Sequence, residues 1–188
     1  MAGLEMWDVV KIAAGSGVVA AMINQGLQWL KDRSRQKGEA QYCAITIIAK
    51  LEQFAIACSR GAEYHGRVIN ESPYFDDSSK HCNVPELTWS EDRFDVLQPP
   101  LGARLLWLST EIQLAHGKAS DNFENEVDPE GYAMDRVSIV GYFGYEALLL
   151  AEILRRRYSL PALISSWGLD QNKTDLERLW VRAKERLK

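Results

Sequence analysis

The stretch VSIVGYFGYEALLLAEIL, residues 137–154, is the most apolar helical segment of the chain and sets its fold class. Glu146 is one of only two charged residues in it. Apolar side chains would lie nearly all round such a helix, which is typical of the central helix of a bundle. Gly141 and Gly144 have no side chains, so a neighbouring helix can approach closely there. We therefore predict a buried central helix over about residues 132–158.

The rest of the chain repeats the same spacing of apolar residues, one every three or four positions, and lacks the strict alternation of strands. Further helices are predicted over about residues 4–37, 39–69 and 101–122, and from about residue 174 onward. Thr174 and Glu177 form a capping box for the last helix. Gly38 either separates the first two helices or lies inside one continuous helix, because glycine costs only about 1 kcal/mol there. The prediction is an all-α protein with a long N-terminal helix and a bundle of about four helices.

Two segments are predicted to be irregular. The first covers about residues 70–100, where prolines, Asn70 and an Asp-Ser cluster oppose helix formation. Its residues Trp89, Phe94 and Leu97 are expected to hold it against the bundle. The second is an acidic break over residues 121–130. Both are exposed candidates for contact with a partner.

The N-terminal stretch IAAGSGVVAAMINQGLQWL, residues 12–30, carries no formal charge. As a helix it would be about 28 Å long, close to the roughly 30 Å hydrocarbon thickness of a bilayer. It is followed at once by a basic collar consisting of Lys31, Arg33, Arg35 and Lys37. This pattern predicts a membrane-associated helix over residues 1–37, in membrane contact through residues 7–37, and a separate helical bundle over residues 38–188.

The basic collar also predicts an orientation. Under the positive-inside rule, the N-terminus lies outside the inner membrane and the bundle lies in the cytoplasm. The odd number of cysteines, Cys43, Cys58 and Cys82, agrees with a reducing compartment. Three amides near the end of the apolar stretch lower its hydrophobicity, so two alternatives stay open. The helix could lie in the membrane interface, or it could pack on the core of a soluble cytoplasmic protein.

Small residues recur along one face of this helix. Ala13, Gly17 and Ala21 are spaced four apart, and Gln25 continues the face. Small residues at this spacing allow two membrane helices to approach closely, and a glutamine can bond across the pair. The pattern indicates a candidate self-association face, and hence a homodimer through the N-terminal helix.

The chain carries no recognisable catalytic, metal or cofactor signature. Cys58, His65, His81 and Cys82 lack zinc-site spacing, and neither acidic loop matches a calcium loop. We therefore expect no enzyme activity, no metal and no cofactor. Glu146 is the one ionisable residue set in an apolar helix. It either reaches the bundle surface or is buried, with Arg104 or His116 as its partner.

Charge is unevenly distributed along the chain. Residues 1–70 carry a net charge of +2, residues 71–135 carry −10, and residues 136–188 carry +4. A nucleic-acid-binding protein would need one dense basic face, which this distribution does not supply. We expect no nucleic-acid partner.

The N-terminal region resembles a group of uncharacterised bacterial helical proteins, some of them phage-associated. The similarity rests on residues 15–21 (GSGVVAA), 24–26 (NQG), 29–30 (WL) and 51–55 (LEQFA). The resemblance implies a helical protein with an N-terminal membrane-like segment. It implies no activity and no functional residue.

These observations together predict a membrane-tethered helical interaction or regulatory module with an unknown protein partner. The alternative is a soluble helical bundle that binds a partner or a small ligand in its core.

Overall fold

The computed structural model of the chain is all-helical. It describes the backbone of residues 6–71, 82–89, 93–125, 129–162 and 169–186, and the side chains of residues 24–67, 82–89, 93–115, 117, 136–162 and 170–185. The helices are α1 (Met6–Glu71), α2 (Pro99–Asn125), α3 (Pro129–Arg157) and α4 (Leu169–Arg186), with a short 3₁₀ turn at Phe94–Val96. No strand occurs in these described segments. The all-α prediction is confirmed.

Two compact units make up the chain, residues 1–40 and residues 41–188. Helix α1 covers both of the helices predicted before residue 70. Of the two arrangements left open at Gly38, the continuous helix is therefore the one observed. No atom lies within 4 Å of where a Cβ would stand on Gly38, so the residue is not needed for packing, and the helix tolerates it at a cost of about 1 kcal/mol.

The core of the second unit is built from one face each of α1, α2 and α4, and from nearly the whole circumference of α3, where every residue from 137 to 154 is buried or half-buried. On α1 this face includes Leu51 and Cys58, neither of which is accessible to solvent. The other buried side chains include Ile47, Phe54, Leu105, Leu108, Ile112, Val140, Phe143, Leu150, Leu154 and Leu176. Within each helix these residues recur at the helical spacing of three or four positions from which the helices were predicted.

Helix α3 is the central helix of this unit, as predicted. It packs against α2 and α4. It also meets α1, because Gly144 faces Cys58, with only 2.8 Å between the Cβ of Cys58 and the place where a Cβ would stand on Gly144. Gly141 faces Leu179 of α4 even more closely. The two glycines thus permit the close helix packing that the sequence predicted.

Three predicted helix ends were wrong. Helix α2 begins at Pro99, not at residue 101, because the first turn needs no backbone N–H and accepts proline. Leu101 and Gly102 both donate to the carbonyl of Gln98. The acidic break is shorter than predicted, since α2 continues to Asn125 and α3 begins at Pro129. Residues 126–128 lie outside the described part.

The predicted capping box of the last helix is also wrong. Helix α4 begins at Leu169, so Thr174 lies inside it, where its hydroxyl donates to the carbonyl of Asp170 at 3.0 Å. The side chains of Gln171 and Asp175 are hydrogen-bonded four residues apart along the same helix. These local bonds stabilise an additional polar turn at the start of α4, which the spacing of apolar residues does not predict.

The irregular segment between α1 and α2 is held on the core where the structure describes it. Cys82, Val84 and Leu97 are buried. The indole N–H of Trp89 donates to the Ser109 hydroxyl, and the Trp89 ring meets Phe94 edge-on at 5.6 Å. The expectation that aromatic residues hold this segment against the bundle is confirmed for residues 82–89 and 93–97.

Helix α3 ends in a tight hydrogen-bonded turn. The N–H of Leu160 donates to the carbonyl of Arg155 at 2.9 Å, and that of Ser159 to the carbonyl of Arg156 at 3.4 Å. This is the bond pattern of a Schellman motif. Ser159 occupies its left-handed position, with φ of 53°, where glycine is usual.

Candidate functional site

The N-terminal helix presents apolar side chains to solvent over the residues whose side chains are described. Leu27, Trp29 and Leu30 are 57–59% exposed. Every residue from 24 to 38 is exposed. Large apolar side chains in such a row are costly in water, and they lie directly before the basic collar. The row has the composition of a helix that enters a membrane interface.

The basic collar is accessible along its length. Lys31, Arg33, Arg35 and Lys37 are all exposed. The Arg33 guanidinium lies 5.2 Å from the centre of the Trp29 ring, and the Arg35 side chain donates to Glu39 at 3.0 Å. A cation stacked on tryptophan combines the two residue types that prefer the headgroup layer.

The candidate self-association face lies on α1, but the structure describes little of it. Ala13, Gly17 and Ala21 are helical in backbone, and their side chains lie outside the described residues. The Gln25 side chain is exposed. The self-association face therefore stays a prediction.

Two helical stretches among the described residues are long and apolar enough to cross a membrane, one within Asn24–Arg67 and one within Arg136–Arg157. About half of each is buried inside the protein, 44% and 56%. Core helices of a soluble protein have the same length and composition, so this finding is weak evidence for a membrane. The predicted span over residues 12–30 falls largely outside the described side chains.

Glu146 lies at the junction of three helices. Its side chain is 14% exposed, and one carboxylate oxygen is 3.4 Å from Nη2 of Arg104 on α2. The other oxygen accepts the indole N–H of Trp180 on α4 at 2.9 Å and lies 3.9 Å from Nζ of Lys184. Arg104 is thus one of the two partners considered from sequence, while the His116 side chain lies outside the described residues. The carboxylate links α2, α3 and α4.

The side chains around Glu146 form a structural network. Lys184 stacks on the Trp180 ring at 3.7 Å, and Tyr145 meets the same ring at 5.2 Å. Burial, and then a hydrogen bond with Glu177, raise the pKa of Tyr145 to about 12. A carboxylate with an arginine, an indole and a lysine around it is well stabilised, and this network explains its place in an apolar helix.

The cysteines are buried thiols. Burial raises the pKa of Cys82 to about 11 and raises the pKa of Cys58 further. A thiolate is the form that attacks electrophiles and binds metals, so neither residue is activated for such chemistry. No cluster of three or more histidine, cysteine or acidic side chains able to hold a metal occurs among the described residues. His81 lies outside them.

A cavity that the sequence did not reveal lies beside the C-terminal end of α3. Its volume is about 250 Å³. The apolar part of its wall is formed by Leu148, Ala151, Leu160 and Ala162. Glu52 of α1 and Arg155 of α3 form an ion pair at its wall, with side chains only 15–16% exposed. The pair is 103 residues apart in sequence, which is why no local pattern could have predicted it.

Comparisons of the chain with protein-family models, with curated proteins and with solved structures found no match.

Proposed function

We propose that the protein is a membrane-tethered helical interaction module, with its N-terminal helix as the tether and residues 38–188 as the module. The observation that supports this most directly is the exposure of Leu27, Trp29 and Leu30 immediately before the basic collar. Removing a side chain of this size from water is worth about 1.5–3 kcal/mol when it is fully buried. A bilayer interface supplies that burial.

The collar adds an electrostatic contribution. A basic residue near an anionic membrane surface contributes about 1 kcal/mol, so four such residues together contribute about 4 kcal/mol. Such a contribution corresponds to roughly a thousandfold change in partitioning. The same residues give the proposed orientation, with the N-terminus outside and the module in the cytoplasm.

The interaction role is supported by the outer surface of α2. Leu106, Trp107 and Leu114 are at least half exposed there, while Leu105 and Leu108 on the opposite face are buried in the core. Exposed tryptophan and leucine on a well-packed helix are typical of surfaces that contact proteins. A tether raises the local concentration of such a surface near a membrane-bound partner.

Flotation of the full chain with lipid vesicles tests the tether. Replacing Lys31, Arg33, Arg35 and Lys37 by glutamine is expected to lower binding to anionic vesicles strongly and to leave binding to zwitterionic vesicles nearly unchanged. The matched control replaces four exposed arginines of the module by glutamine, namely Arg60, Arg67, Arg178 and Arg182. Equal losses in the two variants would refute a specific role for the collar.

Alkaline carbonate extraction of membranes distinguishes a spanning tether from a peripheral one. The full chain is expected to remain in the pellet, and a variant lacking residues 1–37 is expected to be soluble with unchanged helical circular dichroism. Aggregation of that shortened chain would show instead that the N-terminal helix belongs to the core.

A soluble bundle that binds a small ligand is the second candidate. The cavity beside Arg155 and Glu52 is the observation that favours it. Under this alternative the full chain is released by carbonate and does not float with vesicles of either composition.

A further inference from the structure

The cavity at the end of α3 has a mixed lining that restricts which ligand can fill it. Leu148, Ala151, Leu160 and Ala162 form an apolar wall. At about 30 Å³ per water molecule, a volume of about 250 Å³ corresponds to about eight water molecules, which limits the ligand to a small molecule. The ligand therefore has a small apolar body.

Three cations and three carboxylates line the remainder of the cavity. The cations are Arg155, Arg156 and Lys173, and the carboxylates are Glu52, Glu152 and Asp170. The charges balance, so the cavity as a whole favours neither a simple anion nor a simple cation. It fits a molecule that carries both charges.

Arg155 has binding capacity left for a carboxylate. Its Nη1 donates to Glu52 and its Nε donates to the carbonyl of Pro161 at 3.1 Å. Its second Nη nitrogen makes no hydrogen bond within the described residues, although a guanidinium offers five N–H donors. A ligand carboxylate in the cavity would satisfy it, because arginine binds carboxylates in a fixed geometry.

Asp170 has the corresponding capacity for a cation. Its side chain makes no ion pair in the part of the chain that is described. Glu152, which also lines the cavity, is held only loosely, at 3.4 Å from Arg156 and 3.9 Å from Lys173. A ligand ammonium group could bind between these two carboxylates.

We propose that this cavity binds a free apolar α-amino acid. The ligand carboxylate pairs with Arg155 and Lys173, the ammonium group pairs with Asp170 and Glu152, and the apolar side chain lies against Leu148, Ala151, Leu160 and Ala162. Valine is small enough for this volume. This inference does not depend on the membrane tether.

Methyl NMR of the full chain, with ¹³C-labelled alanine, tests the proposal. Titration with L-valine is expected to shift the Ala151 and Ala162 methyl signals saturably and to leave the signal of exposed Ala103 unmoved. Three further probes divide the ligand into its parts: 3-methylbutanoate lacks the ammonium group, 2-methylpropylamine lacks the carboxylate, and glycine lacks the apolar body. Each is expected to bind at least tenfold more weakly, as the loss of one charged hydrogen bond or of the apolar contacts requires.

Variants assign the contacts. Asp170→Asn and Arg155→Lys are each expected to weaken valine binding about tenfold, and Arg155→Lys keeps a cation opposite Glu52. Asp175→Asn, on the same helix but outside the cavity, is the matched control and is expected to bind like the unchanged chain. Ala162→Leu fills the cavity from its exposed edge and should abolish the shifts with little change in melting temperature.

Four results would overturn the proposal. They are the absence of saturable shifts at Ala151 and Ala162, equal binding of valine and either singly charged probe, equal binding of glycine, and equal effects of the substitutions at Asp170 and Asp175. An unfolded Arg155→Lys variant would leave the Asp170 comparison and the probe series to decide.

Discussion

Replacing Gly141 by alanine tests the close contact between α3 and α4. A Cβ at this position would lie 2.7 Å from Cδ1 and 2.9 Å from Cγ of Leu179, and closer still to its Cβ. Carbon atoms prefer separations of about 3.5–4.0 Å, so α4 must move by about 1 Å or more. The side-chain tip alone cannot relieve the clash, because the nearest atom is attached directly to the α4 backbone.

The magnitude follows from two opposing effects. Overpacking a well-filled core costs about 1–3 kcal/mol and occasionally more, whereas alanine gains up to about 1 kcal/mol over glycine in a helix. The severity of this contact places the packing cost at the upper end, so we expect Gly141→Ala to lower the free energy of unfolding by about 2 kcal/mol. At about 2–4 °C per kcal/mol, the melting temperature should fall by about 4–8 °C.

Thermal and urea denaturation followed by circular dichroism measure this change. Gly61→Ala is the matched control, because no atom lies within 4 Å of its Cβ position, and it is expected to stabilise the helix by up to about 1 kcal/mol. In a chain that carries Leu179→Gly, Gly141→Ala should cost less stability than it costs in the unchanged chain. In a chain that carries Leu179→Ala, which keeps the clashing Cβ, the cost of Gly141→Ala should be reduced less. A Gly141→Ala melting temperature at or above that of the unchanged chain would refute the packing argument.

Three other outcomes are expected. Ser159→Gly should raise the free energy of unfolding by about 0.5–1 kcal/mol, because glycine adopts the left-handed conformation without strain; a lower melting temperature would contradict this. Glu146→Gln should lower stability by about 1 kcal/mol or less in urea denaturation, since the amide oxygen still accepts from Trp180 and the lost ionic partners Arg104 and Lys184 are both about half exposed; a loss of several kcal/mol would show that the charge itself is essential. The pKa of Cys82 is raised from 9.0 to about 11 on folding, so its contribution to stability is complete below pH 9 and is lost as the pH rises from 9 to 11, by up to about 1.4 kcal/mol per pH unit. Urea denaturation at pH 8, 9, 10 and 11 checks this decline, and a Cys82→Ala variant with the same pH dependence would rule out this thiol as its source.

The core could be predicted from sequence because it depends on a local pattern. Leu51, Leu105 and Leu154 recur at helical spacing within their own segments, and each is buried. The close packing of α3 against its neighbours could also be predicted, because glycines in an apolar helix let a neighbouring helix approach closely. The residue that faces Gly141, Leu179, could not be identified, because it comes from a helix 38 positions later in the chain.

The helix ends show where local patterns fail. Thr174 and Glu177 have the spacing of a capping box, yet α4 begins five residues earlier. The side-chain hydrogen bonds between Gln171 and Asp175 stabilise the helix by about 0.2–0.5 kcal/mol per pair. That energy is enough to move the start of a helix, but such a pair is too weak a signal to locate the start from sequence. Charge networks between helices fail for another reason. Glu52 and Arg155, and likewise Glu146 and Lys184, meet only after the bundle has formed.

The three buried thiols give the molecule a chemical reporter of its own motions. Cys43 and Cys58 lie on α1 and Cys82 on the segment that precedes α2, and all three are buried and outside any disulfide. An alkylating reagent can reach each sulfur only when the surrounding structure opens. Pulse labelling followed by mass spectrometry would thus time the detachment of the Cys82 segment separately from the opening of α1, without any added probe.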